Sequence, residues 1–294
     1  MSDMFDYLEW RGDLTFQQVP LNMVDNLLFS CMAYVVLQDI VGGLHNGDTK
    51  TIAEAAMEFA ALSEEAKNLR DKNDERIFMA MAETARFGNL HLSYHVHQID
   101  LNTEKQFAAI TVSLDDGSHF VAYRGTDYSV VGWKEDFNMT FVSGVPAQLE
   151  AVRYLNDVAG RTTGPLYVGG HSKGGNLAIY AAAFCEPDVQ ERIVSIYNND
   201  GPGFLEDVIA SNGYQTICDR IQTYVPQTSF FGLALEHAEE YTVIESTEHF
   251  LMQHDPYSWE VMRDDFIHKE HMSGGSQFVD QATTAWLAGM TPDE

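Results

Sequence analysis

Residues 166–178 join, in this order, a short apolar segment, a Gly-x-Ser-x-Gly turn and the start of an alanine-rich helix. Gly170 and Gly174 have no side chains that would collide as the chain reverses, so Ser172 can adopt a strained backbone conformation. Its hydroxyl would then stand above the edge of a sheet. A strand, a sharp turn and a helix in this arrangement are typical of a nucleophile elbow, and they predict that Ser172 is a nucleophile.

The first 88 residues are predicted to form a helical N-terminal layer. Residues 21–40 are apolar on most faces, residues 51–62 are rich in alanine, and residues 75–87 end at Gly88, which is a suitable C-cap. From His91 the apolar residues recur with a period of two, which favours strands. A turn at 115–118 then separates two such strands, so the sequence predicts that an antiparallel hairpin opens a sheet.

Beyond this hairpin, predicted helices and strands alternate. The predicted helices are 145–159 and 173–184, and the predicted strands are the one before Ser172, 193–198, 221–225 and 241–244. Alternation of this kind implies βαβ crossovers, and hence an α/β fold with a mostly parallel sheet flanked by helices. The active site is expected at the carboxyl ends of the strands. We predict one domain over 1–294, with a catalytic core at 89–258 and one or two C-terminal helices within 259–294.

The charge of the chain restricts its partners. With 44 acidic and 17 basic residues, the formal net charge is −27, which opposes binding to nucleic acid or to an anionic membrane surface. No apolar run approaches the roughly 18 residues that span a bilayer, and the acidic start of the chain lacks a basic leader region. The three cysteines are widely spaced and form no CxxC pair. We expect a cytoplasmic protein without stable membrane insertion, whose partner is a small neutral or cationic molecule.

A serine nucleophile needs a histidine that accepts its proton and a carboxylate that orients the histidine. In α/β-hydrolases these partners follow the serine in the order acid, then histidine. This order excludes every histidine up to His171 as the base. The remaining candidates are His237, His249, His254, His268 and His271. His254 is preferred because it lies in a loop after the last predicted strand, and His249 is the alternative base. Either residue would otherwise be an ordinary surface histidine without a catalytic role.

The acid is predicted to be Asp200, which follows the first strand after the nucleophile helix. Many α/β-hydrolases place the acid one strand later, but here residues 224–229 contain no carboxylate. This absence favours Asp200. Its alternative role is to begin the Asp-Gly-Pro-Gly turn at 200–203.

Two backbone amides are expected to hold the oxyanion formed during acyl transfer. One belongs to Lys173, because the residue after the nucleophile supplies this donor in the fold. The other is predicted to come from Thr126, in the loop that leaves the strand at 120–124. Arg124 is interpreted as a structural cation paired with Asp127 or Asp136 rather than as a substrate contact.

These segments resemble known families. The segments 120–126, 132–136 and 170–175 resemble the oxyanion strand, loop and elbow of class 3 lipases. The whole chain looks more like the bacterial Mbeg1-like family of α/β-hydrolases, from 7–13 through 199–204 to 253–256. The resemblance covers nearly all 294 residues, and it implies an α/β-hydrolase fold and a lipase-like or esterase-like activity. It does not name the molecule that is cleaved.

Three further sequence patterns concern metal, phosphate and acyl binding. His91, His95 and His97 lie close together on a predicted strand, but no carboxylate or cysteine has ligand spacing nearby, so neither metal nor cofactor is expected. The glycines around Ser172 lack the Gly-Lys-Ser/Thr ending of a phosphate loop. The apolar segment 230–235 would line an acyl pocket or belong to the core.

The leading hypothesis is a serine hydrolase that acts on a carboxylic ester or another acyl compound. Ser172 would be the nucleophile, His254 the base and Asp200 the acid that orients it. One alternative is a non-catalytic protein of the same fold that binds a ligand. Another is an acyltransferase or thioesterase with the same three residues.

Overall fold

The computed structural model describes residues 2–103, 105–126, 135, 138–139 and 141–272. Within these ranges an eight-stranded sheet runs in sequence order from β1 to β8. Its strands are β1 (Lys50–Thr51), β2 (His91–Asp100), β3 (Lys105–Ser113), β4 (His119–Tyr123), β5 (Leu166–His171), β6 (Ile193–Asn199), β7 (Ile221–Pro226) and β8 (Tyr241–Ile244). Neighbours are antiparallel from β1 to β4 and parallel from β4 to β8. This architecture is an α/β-hydrolase fold, so the predicted fold class is confirmed.

Helices cover both faces of the sheet. They are α1 (Met4–Arg11), α2 (Met23–Met32), α3 (Ile52–Ala60), α4 (Glu64–Lys67), α5 (Lys72–Ala82), α6 (Pro146–Arg161), α7 (Lys173–Phe184), α8 (Pro187–Arg192), α9 (Glu206–Ile209) and α10 (Asn212–Ile217). On β4, Phe120 and Ala122 pack into the core under the N-terminal helices, whereas Val121 and Tyr123 pack into the core under α6 and α7. Successive side chains of a strand point to opposite faces, so one strand contributes to both cores.

Several predicted elements agree with the structure within a few residues. The predicted helix 173–184 is α7, the predicted strand 241–244 is β8, and the predicted hairpin is formed by β3 and β4. The predicted helix 21–40 is wrong beyond Met32, because residues 33–40 form turns. Val24 to Met32 are all buried, so the apolar residues on every face of this segment reflect burial rather than helix length.

The predicted C-terminal helices are wrong for residues 259–272. Here two short strands, β9 (Val261–Met262) and β10 (Asp265–Phe266), form an antiparallel pair. The amide of Val261 donates to the backbone oxygen of Ser2 at 2.8 Å, so this pair is tied to the start of the chain. The rest of the predicted helical region, 273–294, lies outside the described residues.

A buried ion pair lies at the centre of the N-terminal helical layer. Arg86 and Asp25 are both fully buried, and the Arg86 Nη2 atom lies 2.5 Å from Asp25 Oδ2. Arg86 also donates from Nε to Asp25 Oδ1 at 2.9 Å, and the Tyr7 hydroxyl donates to the same oxygen at 2.7 Å. The remaining guanidinium hydrogens are donated to backbone oxygens of 14–20. One side chain therefore joins α2 to the irregular chain that follows α1.

Replacing Arg86 by methionine is expected to lower the free energy of unfolding by about 3–5 kcal/mol, because Asp25 would remain buried without its cation. Urea unfolding measures this change. The double variant Arg86→Met, Asp25→Leu should recover part of the loss, because no buried charge remains. Arg153→Ala is the matched control, since the exposed Arg153 lies 3.6 Å from its carboxylate partner, and it should change stability by less than about 1 kcal/mol. Equal losses in Arg86→Met and Arg153→Ala would contradict the prediction.

Candidate functional site

The predicted elbow is formed by the end of β5, Ser172 and the start of α7. Ser172 has φ 58° and ψ −135°, a left-handed conformation that residues with a side chain seldom adopt. Its amide donates to the backbone oxygen of Asn199 at 2.9 Å, and its own backbone oxygen accepts from the Gly175 amide at 2.9 Å. Two hydrogen bonds from the sheet and the helix thus hold the strained backbone in place. Such strain is common at active sites, where it aims a side chain.

Close backbone packing explains the two glycines of the motif. A Cβ atom at Gly170 would lie 2.3 Å from the backbone carbon of Gly174. A Cβ atom at Gly174 would lie 2.2 Å from the backbone oxygen of Tyr123 on β4. Any side chain at either position would force the strand and the helix apart. These contacts give the physical reason for the sequence pattern that marked Ser172.

The structure brings Ser172, His254 and Asp200 together in one hydrogen-bond relay. His254 Nε2 lies 3.0 Å from Ser172 Oγ, and His254 Nδ1 lies 2.6 Å from Asp200 Oδ2. The carboxylate accepts from Nδ1–H, so Nε2 is left as the acceptor of the serine proton. The Asp200 side chain is fully buried and that of His254 is 22% exposed. His254 can therefore accept the proton of Ser172 while its own ring stays partly exposed to solvent.

Asp200 also has a partner that sequence reasoning missed. It follows β6 with φ 55°, and its amide donates to the backbone oxygen of Tyr224 on β7 at 2.8 Å. The hydroxyl of Ser229, in the loop after β7, donates to Asp200 Oδ1. The Gly232 amide in turn donates to Ser229 Oγ at 2.9 Å. The loop in which no carboxylate was found therefore supplies a hydroxyl to the carboxylate of the preceding strand.

The loop that carries His254 is held by its neighbour in sequence. Gln253 is buried, and its side chain accepts from the Thr228 amide at 2.7 Å and donates to the backbone oxygen of Glu248 at 2.8 Å. Trp259 Nε1 donates to the backbone oxygen of Gln253 at 2.9 Å. The rings of Phe231 and His254 have centroids 4.4 Å apart. Phe231 belongs to the apolar segment 230–235, which is half-buried and contacts His254 through this ring.

The two predicted oxyanion residues, Lys173 and Thr126, both belong to segments that contact or adjoin Ser172. Lys173 is the first residue of α7, so its amide stands at the positive end of a helix of twelve residues. Gly125 lies so near Ser172 that a Cβ atom at position 125 would be 3.1 Å from the Cβ of Ser172, and Thr126 follows Gly125. The Lys173 ammonium is buried and lies 3.1 Å from Glu135 Oε2. Asp127 and Asp136, the predicted partners of Arg124, lie outside the described residues.

The other candidate histidines do not approach Ser172 in the described structure. His237 Nδ1 lies 2.8 Å from Glu239 Oε1, and His268 Nε2 lies 3.2 Å from Asp265 Oδ1. His249 and His271 are exposed. Burial would raise the pKa of Glu239, but His237 and two hydroxyl donors lower it to about 2. His237 and Glu239 thus form a separate buried pair.

The comparison with protein families places the chain in a known family. The sequence model of the Mbeg1-like family matches residues 81–294, which is most of the chain. The chain belongs to the Mbeg1-like family. The match includes Ser172, Asp200 and His254, and it begins in α5, after the first helices of the N-terminal layer.

Solved structures similar to this Mbeg1-like protein include lipases. A propeptide complex of Rhizomucor miehei lipase is 15% identical, with a TM-score of 0.40, and the alignment covers 60% of this chain and 70% of the lipase. M37 lipase is 17% identical, with a TM-score of 0.43 and coverage of 72% and 69%. A fungal lipase in complex with an inhibitor is 15% identical, with a TM-score of 0.38 and coverage of 54% and 67%. No curated protein matches the sequence.

Within the residues that the structure describes, no group of three or more histidine, cysteine, aspartate or glutamate side chains is arranged to hold a metal ion. In the same part of the chain, every helix is too short or too polar to cross a bilayer.

His171, which precedes Ser172, is expected to make the Mbeg1-like protein sensitive to acid. Burial lowers the pKa of His171 well below its usual value, and the charges of His254 and Arg70 lower it further. Below about pH 6.5 the unfolded chain takes up a proton at this residue and the folded chain does not. Because the pKa of His171 is depressed in the folded state, its contribution to the free energy of unfolding is fully present above about pH 6.5 and decreases as the pH falls. The loss should approach about 1.4 kcal/mol for each pH unit below 6.5.

Urea unfolding of wild type and His171→Gln at pH 7 and pH 5 measures this dependence. The free energy of unfolding of the wild type should fall by about 2 kcal/mol more than that of His171→Gln over this interval. The difference between the two proteins removes the contribution of other titrating groups. The same pH dependence in both proteins would contradict the prediction.

Proposed function

We propose that this Mbeg1-like protein is a serine hydrolase that cleaves carboxylic esters through an acyl-enzyme on Ser172. The observation that carries the proposal is the relay from Ser172 Oγ to His254 Nε2 and from His254 Nδ1 to the buried Asp200. A serine hydroxyl is a weak nucleophile at neutral pH, and a base at 3.0 Å with a fixed tautomer is the usual means of activating it. The α/β-hydrolase fold supports the same conclusion.

In the first half of the reaction, Ser172 Oγ attacks the ester carbonyl while His254 Nε2 takes the hydroxyl proton. Asp200 accepts a hydrogen bond from Nδ1–H and stabilises the imidazolium that forms. The tetrahedral intermediate then breaks the bond between the acyl carbon and the alcohol oxygen, and the alcohol leaves with the proton from Nε2. In the second half, His254 Nε2 takes a proton from a water molecule while the water oxygen attacks the acyl carbon. The bond between the acyl carbon and Ser172 Oγ then breaks, Oγ takes the proton back from Nε2, and the carboxylic acid leaves.

The backbone amides of Lys173 and Thr126 are proposed to donate hydrogen bonds to the negatively charged oxygen of the intermediate. The position of Lys173 at the start of α7 supports this role, because helix N-termini favour anions. The buried contact of its ammonium with Glu135 at 3.1 Å limits movement of the residue. The close approach of Gly125 to Ser172 supports the assignment of the second donor to Thr126.

The substrate is proposed to carry a hydrophobic acyl group. The Phe231 ring lies beside His254 with a centroid distance of 4.4 Å. Phe250, Leu251 and Met252, which lie two to four residues before His254, are all exposed. An apolar group bound near the triad would cover these side chains from water. The net charge of −27 favours a neutral ester over an anionic one.

Labelling with a fluorophosphonate probe tests the catalytic role. The probe should modify the wild-type protein at one peptide, which contains Ser172, and heat-denatured protein should not react. Ser118→Ala is the matched control, because Ser118 is a buried serine that hydrogen-bonds Asp116 in the β3–β4 turn. This variant should be labelled as the wild type is.

The outcomes separate the candidate functions. Labelling at Ser172 and hydrolysis of p-nitrophenyl esters support an esterase. If the probe labels Ser172 but only acyl thioesters are hydrolysed, the protein is a thioesterase with the same triad. If the probe labels Ser172 but turnover requires an acceptor alcohol, the protein is an acyltransferase with the same triad. Folded wild-type protein that does not react with the probe contradicts the proposal and leaves a ligand-binding protein of the same fold.

A further inference from the structure

His171, the residue before the nucleophile, makes two hydrogen bonds that the acyl-transfer steps do not use. Its Nε2 atom lies 2.8 Å from the backbone oxygen of His254, and its Nδ1 atom lies 2.9 Å from the hydroxyl oxygen of Tyr34. A carbonyl oxygen can only accept, so Nε2 carries the proton and donates it, and Nδ1 accepts from the Tyr34 hydroxyl. The His171 side chain is 2% exposed. The two contacts therefore fix a single neutral tautomer of this ring.

We propose that His171 is a positioning residue that holds His254 within reach of Ser172, and that Tyr34 fixes the tautomer this requires. The inference rests on the proposed function, because it concerns the same triad. Since His171 and Ser172 are adjacent, one dipeptide contacts His254 twice, at its backbone oxygen and at its imidazole. The bond from His171 to the His254 backbone fixes the start of the His254 side chain beside Ser172. The imidazole therefore stays within reach of the Ser172 hydroxyl.

A chain of contacts through the N-terminal helical layer supports Tyr34 in this position. The Arg70 guanidinium lies 3.7 Å from the centre of the Tyr34 ring, and Arg70 Nη2 lies 2.8 Å from Asp74 Oδ1. The same carboxylate oxygen accepts from the Tyr257 hydroxyl at 2.8 Å. Tyr257 is three residues beyond His254. The contacts thus begin at the His254 backbone, pass through the helical layer and return to the same loop.

The neutral state of His171 suits a neighbour of the base. The centroids of the His171 and His254 rings are 4.7 Å apart. During acyl transfer His254 becomes a cation, and a second cation at this distance would oppose the proton transfer. A ring that donates from Nε2 and accepts at Nδ1 meets both hydrogen bonds without a charge. A lysine or arginine could not replace it.

Two substitutions of His171 separate positioning from simple packing. In His171→Gln the side-chain amide can place a donor near the former Nε2 atom, so the bond to the His254 backbone oxygen can be kept. In His171→Asn the shorter side chain cannot reach that oxygen. Tyr34→Phe removes only the hydroxyl, and Tyr154→Phe is its matched control. Tyr154 is a buried tyrosine whose hydroxyl bonds Thr111 and the backbone oxygen of Tyr94, within the core under α6.

The experiment measures fluorophosphonate labelling of the full chain, with the maximal rate and the half-saturating probe concentration determined separately, beside the thermal midpoint of each variant. We expect His171→Asn to lower the maximal rate by about 100-fold, because the base is displaced, with the half-saturating concentration unchanged. His171→Gln should stay within about fivefold of wild type, and Tyr34→Phe should lose about tenfold. Tyr154→Phe should label at the wild-type rate.

The labelling rates of the variants, compared in pairs, decide whether His171 and Tyr34 have the proposed roles. Rescue by His171→Gln relative to His171→Asn, at comparable thermal midpoints, supports the positioning role. Equal maximal rates in the two His171 variants overturn it, whether both are fast or both are slow. A loss in Tyr154→Phe as large as that in Tyr34→Phe also overturns the role of Tyr34. Absence of labelling in folded wild-type protein contradicts the proposed function itself, which distinguishes that failure from this one.

Discussion

Ser172→Ala is expected to lower ester hydrolysis by about 10⁶-fold, and the double variant Ser172→Ala, His254→Ala is expected to be no slower than either single variant. The reason is that the two side chains act as one unit across the 3.0 Å contact between Oγ and Nε2. Without the hydroxyl the imidazole has no proton to take, and without the imidazole the hydroxyl is a weak nucleophile. The rate that remains would come from the oxyanion donors and from substrate binding.

A substrate panel first identifies a p-nitrophenyl ester that the wild-type protein hydrolyses. Steady-state hydrolysis of that ester then measures these rates. The thermal midpoint of Ser172→Ala should stay close to that of wild type, because the Ser172 hydroxyl has His254 as its observed partner and that ring is partly exposed. Ser118→Ala serves again as the matched serine control. Additive losses in the double variant would show that Ser172 and His254 do not act together, and this result would refute the relay as the source of activity.

The elbow could be predicted from the sequence because its determinants are local. The glycines at 170 and 174 are required by contacts within the turn and with β4, and the helix that follows begins at Lys173 as predicted. The preference for His254 used only the order of the catalytic residues in the fold and the place of His254 after the last predicted strand. In the structure this residue lies beside Ser172 and Asp200.

The partners of the triad could not be predicted in the same way, because they are far apart in sequence. Ser229 lies 29 residues from Asp200, and Tyr34 lies 137 residues from His171. A serine in a loop and a tyrosine in an apolar segment have no pattern that marks them as parts of a site. Only the packing of the sheet and the N-terminal layer places them there.

The errors in the predicted elements have a related cause. The segment 259–272 has apolar residues at short intervals, which alone does not distinguish a helix from short strands. Its form is decided by pairing with distant strands, as in the 2.8 Å hydrogen bond from the Glu245 amide to the Ile267 backbone oxygen. In the segment 21–40 the apolar residues reflect burial between the sheet and α5, so they do not mark the helix end at Met32. Tertiary contacts determine structure in both segments.

Asp200→Asn is expected to lower the rate of ester hydrolysis by about 10⁴-fold while the fold is retained. Asparagine has nearly the same shape, so the change is electronic. Its amide group can donate to His254 Nδ1, which would move the ring proton to Nε2 and leave no acceptor for the Ser172 hydroxyl. The carboxylate charge that stabilises the imidazolium would also be lost. Both effects act on the rate of chemistry rather than on substrate binding, so kcat should fall and KM should change little.

Comparison with Ser229→Ala makes this prediction specific to the acid. Removing the Ser229 hydroxyl takes one hydrogen bond from Asp200 Oδ1 but leaves the carboxylate and its contact with His254, so the expected loss is about tenfold. Asp116→Asn, in the exposed β3–β4 turn, is the matched control and should hydrolyse the ester as wild type does. An Asp200→Asn variant that stays within about tenfold of wild type would show that Asp200 only shapes its turn, because an acid in the triad cannot lose its charge at so small a cost.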